Sequence, residues 1–253
     1  MLQSLQIDAL RVEVYATSAD LDTAAATAVS RTLQTVTQQR VATVIFATGN
    51  TPLGLLQHLR NRQAEVNWSQ VVGLHLDEYL GIEPQHPASF QRYLHDQIGD
   101  VLPFKAFYYL DSQAWEPVTE CDRYTQLLKS HPPDLCLLGV GNNGHLAFND
   151  PRVASMTDNR WVKLVQLDSQ NRQQQFQTGH FARYAQVPHY AYTLTLPAIF
   201  AAQQRLCLAK GAAKAHVVNR LLHDPIGPDC PASFLRTRPG SRLMLDAAAA
   251  AKL

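Results

Sequence analysis

Val41-Ala42-Thr43-Val44-Ile45-Phe46-Ala47-Thr48-Gly49-Asn50-Thr51-Pro52-Leu53 runs from an almost unbroken apolar segment through a short turn into a helical pattern. Apolar residues that do not alternate with polar ones mark a strand covered on both faces, the habit of parallel sheets. The turn supplies Thr51 as helix N-cap and Pro52 as first helical residue, and the periodic stretch Leu53–Arg62 follows. Leu135–Val140 repeats the unbroken apolar run and ends in a glycine-rich turn.

Outward from these two segments, β-rich runs at Leu10–Tyr15, Val71–Leu76, Ala106–Leu110, Trp161–Leu167, Ala191–Leu196 and Leu206–Ala209 alternate with helical patterns. The helices are Leu21–Gln39, opened by Ser18 or Asp20, then Ser89–Ile98, Thr119–Ser130 and Ala212–Leu222. Such alternation predicts an α/β fold, a mostly parallel central sheet with helices on both faces. With no repeat or linker, residues 1–253 read as one domain, ending in the alanine-rich stretch Ala247–Ala251 as a terminal helix or frayed end.

Lysine plus arginine (22) nearly balance aspartate plus glutamate (21), so no long-range field draws the chain to nucleic acid or an anionic membrane. Any anionic ligand has to be caught locally. Cys121, Cys136, Cys207 and Cys230 are scattered, without the spacing of a zinc site, which predicts reduced thiols in a cytoplasm. The first residues show no signal-peptide pattern, and no apolar run approaches the ~20 residues of a membrane span.

Ligands of open α/β sheets bind beyond the carboxyl ends of the strands. Three loops there carry chemistry. Thr48-Gly49-Asn50-Thr51 presents backbone amides at a helix N-terminus, where the macrodipole favours an anion, or is a plain turn. Asp77-Glu78 follows Val71–Leu76; neighbours on an extended segment point opposite ways, so either one acid faces the pocket while the other caps a turn or helix, or both are solvated or capping acids. Gly139-Val140-Gly141-Asn142-Asn143-Gly144-His145, running on to Asn149-Asp150-Pro151, combines glycines that admit a ligand close to the backbone with an imidazole suited to proton transfer near neutrality. Asp150 is placed to orient that ring.

Taken together these loops resemble the glucosamine-6-phosphate deaminase/isomerase family over nearly the whole chain. Lys210-Gly211-Ala212-Ala213-Lys214 and Cys230-Pro231-Ala232-Ser233-Phe234-Leu235-Arg236 are similar to two further family stretches. The resemblance implies a three-layer modified Rossmann-like fold. It also implies conversion of glucosamine 6-phosphate and water to fructose 6-phosphate and ammonia, with no metal or redox cofactor. It assigns ring opening to His145, aided by Asn143 and Asp150, and proton transfer from C2 to C1 to Asp77, which must be buried to be basic enough. Phosphate binding falls to Lys214 and the Thr48–Thr51 loop, with Gly141 beside the substrate.

Two departures stand out: Asn143 and Asp150 replace an aspartate and a glutamate found in many members, and Gln175 stands where well-known members have a phosphate-binding arginine. Arg172, three residues earlier, shares a helix face with Gln175 if the segment is helical, and either reaches the same oxygens or is a solvated arginine. The family's allosteric site is not recognisable around Asp150–Lys163, so an unregulated monomer or low-order homo-oligomer is expected. The alternatives are a 6-phosphogluconolactonase, disfavoured by Tyr79 and Phe148-Asn149-Asp150-Pro151, and a non-catalytic sugar-phosphate-binding module.

Overall fold

The chain order of the elements explains where a ligand can sit. In the computed structural model, which describes residues 1–177 and 179–253 apart from the side chains of Gln170 and Gln174, the strands are β1 (Gln3–Ile7), β2 (Leu10–Tyr15), β3 (Ala42–Phe46), β4 (Val71–His75), β5 (Asp77–Tyr79), β6 (Ala106–Tyr108), β7 (Leu135–Gly139), β8 (Val162–Gln166), β9 (Tyr190–Leu194), β10 (Gln204–Ala209) and β11 (Ser241–Asp246). Eight of them form one sheet in the order β1-β2-β11-β10-β7-β3-β4-β6. Only the edge pair β1–β2 is antiparallel; every other ladder of this sheet is parallel. After β3 the chain steps outward to β4 and β6, then returns to the other side of β3 as β7, β10 and β11. That reversal between β3 and β7 is a topological switch point, where two loops diverge and leave a crevice at the strands' carboxyl ends.

The helices are α1 (Ser18–Thr37), α2 (Asn50–Asn61), α3 (Phe90–Leu94), α4 (Pro117–Ser130), α5 (Ser169–Phe176), α6 (Leu196–Ala201) and α7 (Ala215–His223). They cover both faces of the sheet. Alternate residues of each central strand point to opposite sides. Val44, Phe46, Leu137 and Leu208 pack with Leu21, Leu33 and Leu55 from α1 and α2. Ile45, Leu138, Cys207 and Leu243 pack with Tyr124, Ile199 and Val218 from α4, α6 and α7. Burial on both sides accounts for the unbroken apolar character of β3 and β7. Among the described residues, no helix is long and apolar enough to cross a membrane.

Several elements differ from the sequence-based expectations. Trp161–Leu167 and Ala191–Leu196 correspond to β8 and β9, but these leave the parallel sheet and form a separate antiparallel one, ordered β5-β9-β8. A third apolar cluster, including Tyr79, Phe148, Val165 and Phe181, packs against it. Helix α2 starts at Asn50 with Gly49 as N-cap, so Pro52 is its third residue and Thr51 its second. Thr17, not Ser18 or Asp20, caps α1, its side chain accepting from the Asp20 amide. Helix α3 stops at Leu94 and continues as a wider turn through Gly99, and Ala247–Ala250 is turn, not helix.

Candidate functional site

The loops that follow β3, β4, β7 and β10 open on one cleft of about 370 Å³, within the ~300–1,000 Å³ typical of small-molecule sites. Thr48, Gly49, Asn50, Thr51, Asp77, Gly141, His145 and Lys214 all line it, as do Phe90, Phe148 and Gln175. A larger hollow of about 470 Å³ shares Asp150 with the far side of this region, but its other walls, among them Arg152, Asp168 and Ser169, include none of the anion-binding loop.

One end of the cleft is built for an anion. Gly49 caps α2 with φ 94°, a left-handed conformation that favours glycine. The turn leaves the first amides of α2 without intrahelical partners and pointing outward at the positive end of the helix dipole. Tyr93 Oη donates to the Gly49 carbonyl at 2.8 Å and holds the loop in place. Opposite stands Lys214, whose Nζ donates to Asn142 Oδ1 at 2.6 Å. Its own loop is pinned where Gly211, also at positive φ (84°), gives its amide to both Asp246 carboxylate oxygens at 3.0 and 2.9 Å. Burial holds the Lys214 ammonium below the usual lysine range, a cost that a bound anion relieves.

Arg172 does not join this end, which corrects the expectation placed on it. Its guanidinium donates to the Val187 carbonyl at 2.8 Å (Nη2) and 3.2 Å (Nε), and lies 4.6 Å from the centre of the Tyr184 ring. It holds α5 to the following segment. Residues three apart on a helix differ by about 60° in direction, and that offset sends Arg172 inward while Gln175 lines the cleft.

Asp77 and Glu78 divide as alternation requires. Asp77 opens β5, paired in register with Thr193 of β9, and its side chain lines the cleft. Glu78 turns away. It accepts from the Tyr79, Phe90 and Gln91 amides and the Ser89 hydroxyl, capping α3. Asp77 has no such support among the described residues. Burial, and secondarily the neighbouring Glu78 carboxyl, push its pKa up to about 8. A carboxylate this reluctant to ionise is a far stronger base than an ordinary aspartate.

The third wall carries His145. Phe148 gives its amide to Thr193 Oγ1 at 3.1 Å, and Asn149 Nδ2 donates to the Leu194 carbonyl at 2.8 Å. Strand β9 thereby fixes both the Asp77 backbone and the His145 loop. His145 Nδ1 lies 2.9 Å from Asp150 Oδ1, and the two side chains are 15% and 7% exposed. Asn143 addresses the carboxylate and not the ring: its Nδ2 donates to Asp150 Oδ1 at 2.8 Å, while its Oδ1 accepts the His145 amide at 3.0 Å. Burial alone raises the Asp150 pKa, but the His145 ring and the Asn143 and Asn171 amides outweigh it and hold the carboxyl below its ordinary value.

Gly141 acts by what it lacks. A Cβ there would stand 2.2 Å from His145 Cε1 and Nε2. Gly141→Ala is therefore expected to displace the ring and lower turnover by about 10²-fold, the lower end of what acid–base groups supply, with a normal far-ultraviolet circular dichroism spectrum. Wild-type turnover in that variant would refute a fixed ring position.

Sequence reasoning gave no role in the site to Asn171 or Phe90, which the fold brings in from α5 and α3, and used Phe148, on the His145 loop itself, only as a family mark and not as a wall of the cleft.

The chain matches the model of the family described as glucosamine-6-phosphate isomerases/6-phosphogluconolactonase over residues 16–244. It is 35% identical over 207 residues to a glucosamine-6-phosphate deaminase of an Exiguobacterium species, covering 82% of this chain and 79% of that one. It is 33% identical over 211 residues to a protein of the same name from Lactobacillus delbrueckii subsp. bulgaricus, covering 83% and 87%. Among solved structures, a monomeric glucosamine-6-phosphate deaminase superposes with a TM-score of 0.88 at 29% identity, covering 96% of this chain and 99% of that one. The 6-phosphogluconolactonase of Trypanosoma brucei, at 19% identity and a TM-score of 0.80 over 99% and 100% of the two chains, shares the fold. The match across nearly the whole sequence, on a cleft built from the loops that carry the family's motifs, makes this chain a member of the glucosamine-6-phosphate isomerase/6-phosphogluconolactonase family.

Proposed function

We infer that this chain is a glucosamine-6-phosphate deaminase, an enzyme that converts glucosamine 6-phosphate and water to fructose 6-phosphate and ammonia. The observation that carries the reading is Asp77: a buried carboxyl, its pKa pushed up to about 8, facing the same cleft as an imidazole and an anion cradle. The phosphate sits against the Gly49–Thr51 amides and Lys214, which sets the sugar's other end toward Asp77 and His145. The His145 ring takes the anomeric hydroxyl proton and returns one to the ring oxygen, breaking the C1–O5 bond and leaving an open-chain aldehyde. Asp150 steadies the ring as charge forms on it.

The C2 proton now lies next to a carbonyl, and Asp77 removes it while O1 takes up the proton that the substrate ammonium gives up, which makes an enolamine. Delivery of that proton to C1 makes an imine at C2. Water adds to the imine carbon, ammonia leaves, and the ketose phosphate remains. A substrate ammonium entering beside Asp77 favours its ionised form, so the base is armed when the amino sugar arrives. We assign the whole chain to one domain acting in the cytoplasm as a monomer or low-order oligomer without a cofactor; the four buried free cysteines suit a reducing compartment.

A panel of hexosamine 6-phosphates assayed for ammonia and ketose phosphate tests the reading. Release of both from glucosamine 6-phosphate supports it, and hydrolysis of 6-phosphogluconolactone with no ammonia from any amino sugar overturns it. Lys214→Met is expected to raise KM by about 10- to 100-fold, the worth of a charge-assisted hydrogen bond, with kcat changed far less. An unaltered KM would remove Lys214 from the phosphate site.

A further inference from the structure

Asp150 has three polar neighbours among the described residues, and two of them, His145 and Asn143, lie close to it in the sequence. The third comes from 21 residues away: Asn171 Nδ2, on the first turn of α5, donates to Asp150 Oδ2 at 3.2 Å. The two carboxylate oxygens are thus used separately, Oδ1 by His145 and Asn143 and Oδ2 by Asn171. Rotation of the carboxylate about its bond would break all three contacts together.

Asn171 is an expensive way to fill this space. The residue is 3% exposed and its Oδ1 is buried without a hydrogen-bond partner among the described residues. An apolar side chain of the same size would bring no orphan atom of its own, and would leave only Asp150 Oδ2 without its donor. Its backbone amide already serves α5 by donating to Asp168 Oδ1 at 2.7 Å, a contact that does not depend on the side chain. Among the described residues, the side chain's polar contact is the one to Asp150.

We propose that Asn171 is a positioning residue for the His145–Asp150 pair, holding Asp150 Oδ2 so that Oδ1 stays turned to the ring, and that the pair is therefore completed by the docking of α5. The proposal rests on the deaminase reading for its catalytic consequence. Gln175, one turn further along the same helix, lines the cleft, so a helix seated on the site contributes at both places. The other charged groups near Asp150 are Arg152 and Asp168 on its far side and His145, with Asp77 and Lys214 across the cleft; none changes in the variants below.

The test is Asn171→Leu, alone and in an Asp150→Asn background. Alone, it is expected to lower kcat about tenfold, the worth of a hydrogen bond to a charged group, with KM within about twofold. In the Asp150→Asn background the same change is expected to move kcat by less than about twofold, because the two residues act as one unit. Equal fold losses in both backgrounds, or wild-type kcat in the single variant, would overturn the proposal. The substrate-free readout is the Asp150 carboxyl followed by carbon-13 NMR: its titration is expected to move to higher pH in Asn171→Leu, and an unmoved titration overturns the proposal. Asn171→Ser, too short to reach Asp150, carries the same expectations should the leucine variant fail to fold. Failure of the wild type to release ammonia would defeat the deaminase reading instead, and the titration would still decide Asn171.

Discussion

Replacing Asp77 with asparagine is expected to lower ammonia release by about 10³-fold, within the range a positioned general base supplies, while binding of non-reacting substrate analogues stays within about twofold. The change is nearly isosteric and removes the proton acceptor that faces the cleft. Near-normal turnover in this variant would eliminate Asp77 as the base. In the wild type, kcat/KM reports the free enzyme and is expected to rise with pH through about 8, following the Asp77 carboxyl. The acidic limb of kcat lies lower, because the bound ammonium favours the carboxylate.

The same substitution has a thermodynamic signature. The folded Asp77 pKa, about 8, lies above the ordinary carboxyl value of 3.8, so between those values the folded state holds a proton that the unfolded state has released. Stability from this group is complete below about pH 4 and is lost as pH rises through about 8. Asp77→Asn does not carry this loss. It is expected to melt higher than the wild type by several degrees at pH 8, on the order of 2–4 °C per kcal/mol recovered in a chain of this size, with the gap closing toward pH 4. A catalytic residue whose removal stabilises the fold is the expected trade between activity and stability. Equal melting temperatures at both pH values would contradict the burial-driven shift.

His145→Ala is expected to lower kcat/KM for glucosamine 6-phosphate by about 10²- to 10³-fold through loss of ring opening. The alanine opens space on the cleft side, next to Gly141, where a Cβ would otherwise meet the ring. Added imidazole is therefore expected to restore part of the activity in this variant and none in Asp77→Asn. Rescue of neither would place His145 in a structural role. Rescue of both would mean that the two residues serve the same proton, against the division of labour drawn here.

Much of this site was legible before any coordinates. Unbroken apolar runs identified β3 and β7, and the rule that ligands gather beyond the carboxyl ends of parallel strands directed attention to the loops that do line the cleft. Alternation along an extended chain anticipated that Asp77 and Glu78 would face opposite ways. What escaped notice depends on contacts far apart in sequence. Strand β5 is three residues long and begins with two acids, so nothing local announces it; it exists because β9 pairs with it. Edge strand β1 is interrupted by glutamines and serine and turns into β2 at Asp8, at φ 51°, without the glycine that usually marks a hairpin. Arg172 has the spacing that would bring it near Gln175 but not the direction, since the Tyr184 ring and the Val187 carbonyl capture its guanidinium. Asn171 looked like one more polar residue in a glutamine-rich helix.

The measurement that bears most directly on this account is the titration of the Asp77 carboxyl in the empty enzyme, followed by carbon-13 NMR with Asp77→Asn to assign the resonance. A midpoint near 8 is the predicted result, since it follows from a carboxyl buried in the cleft without a donor among the described residues. A midpoint near 4 would mean that Asp77 is solvated and weakly basic, and the proposed C2 proton transfer would have no base to perform it.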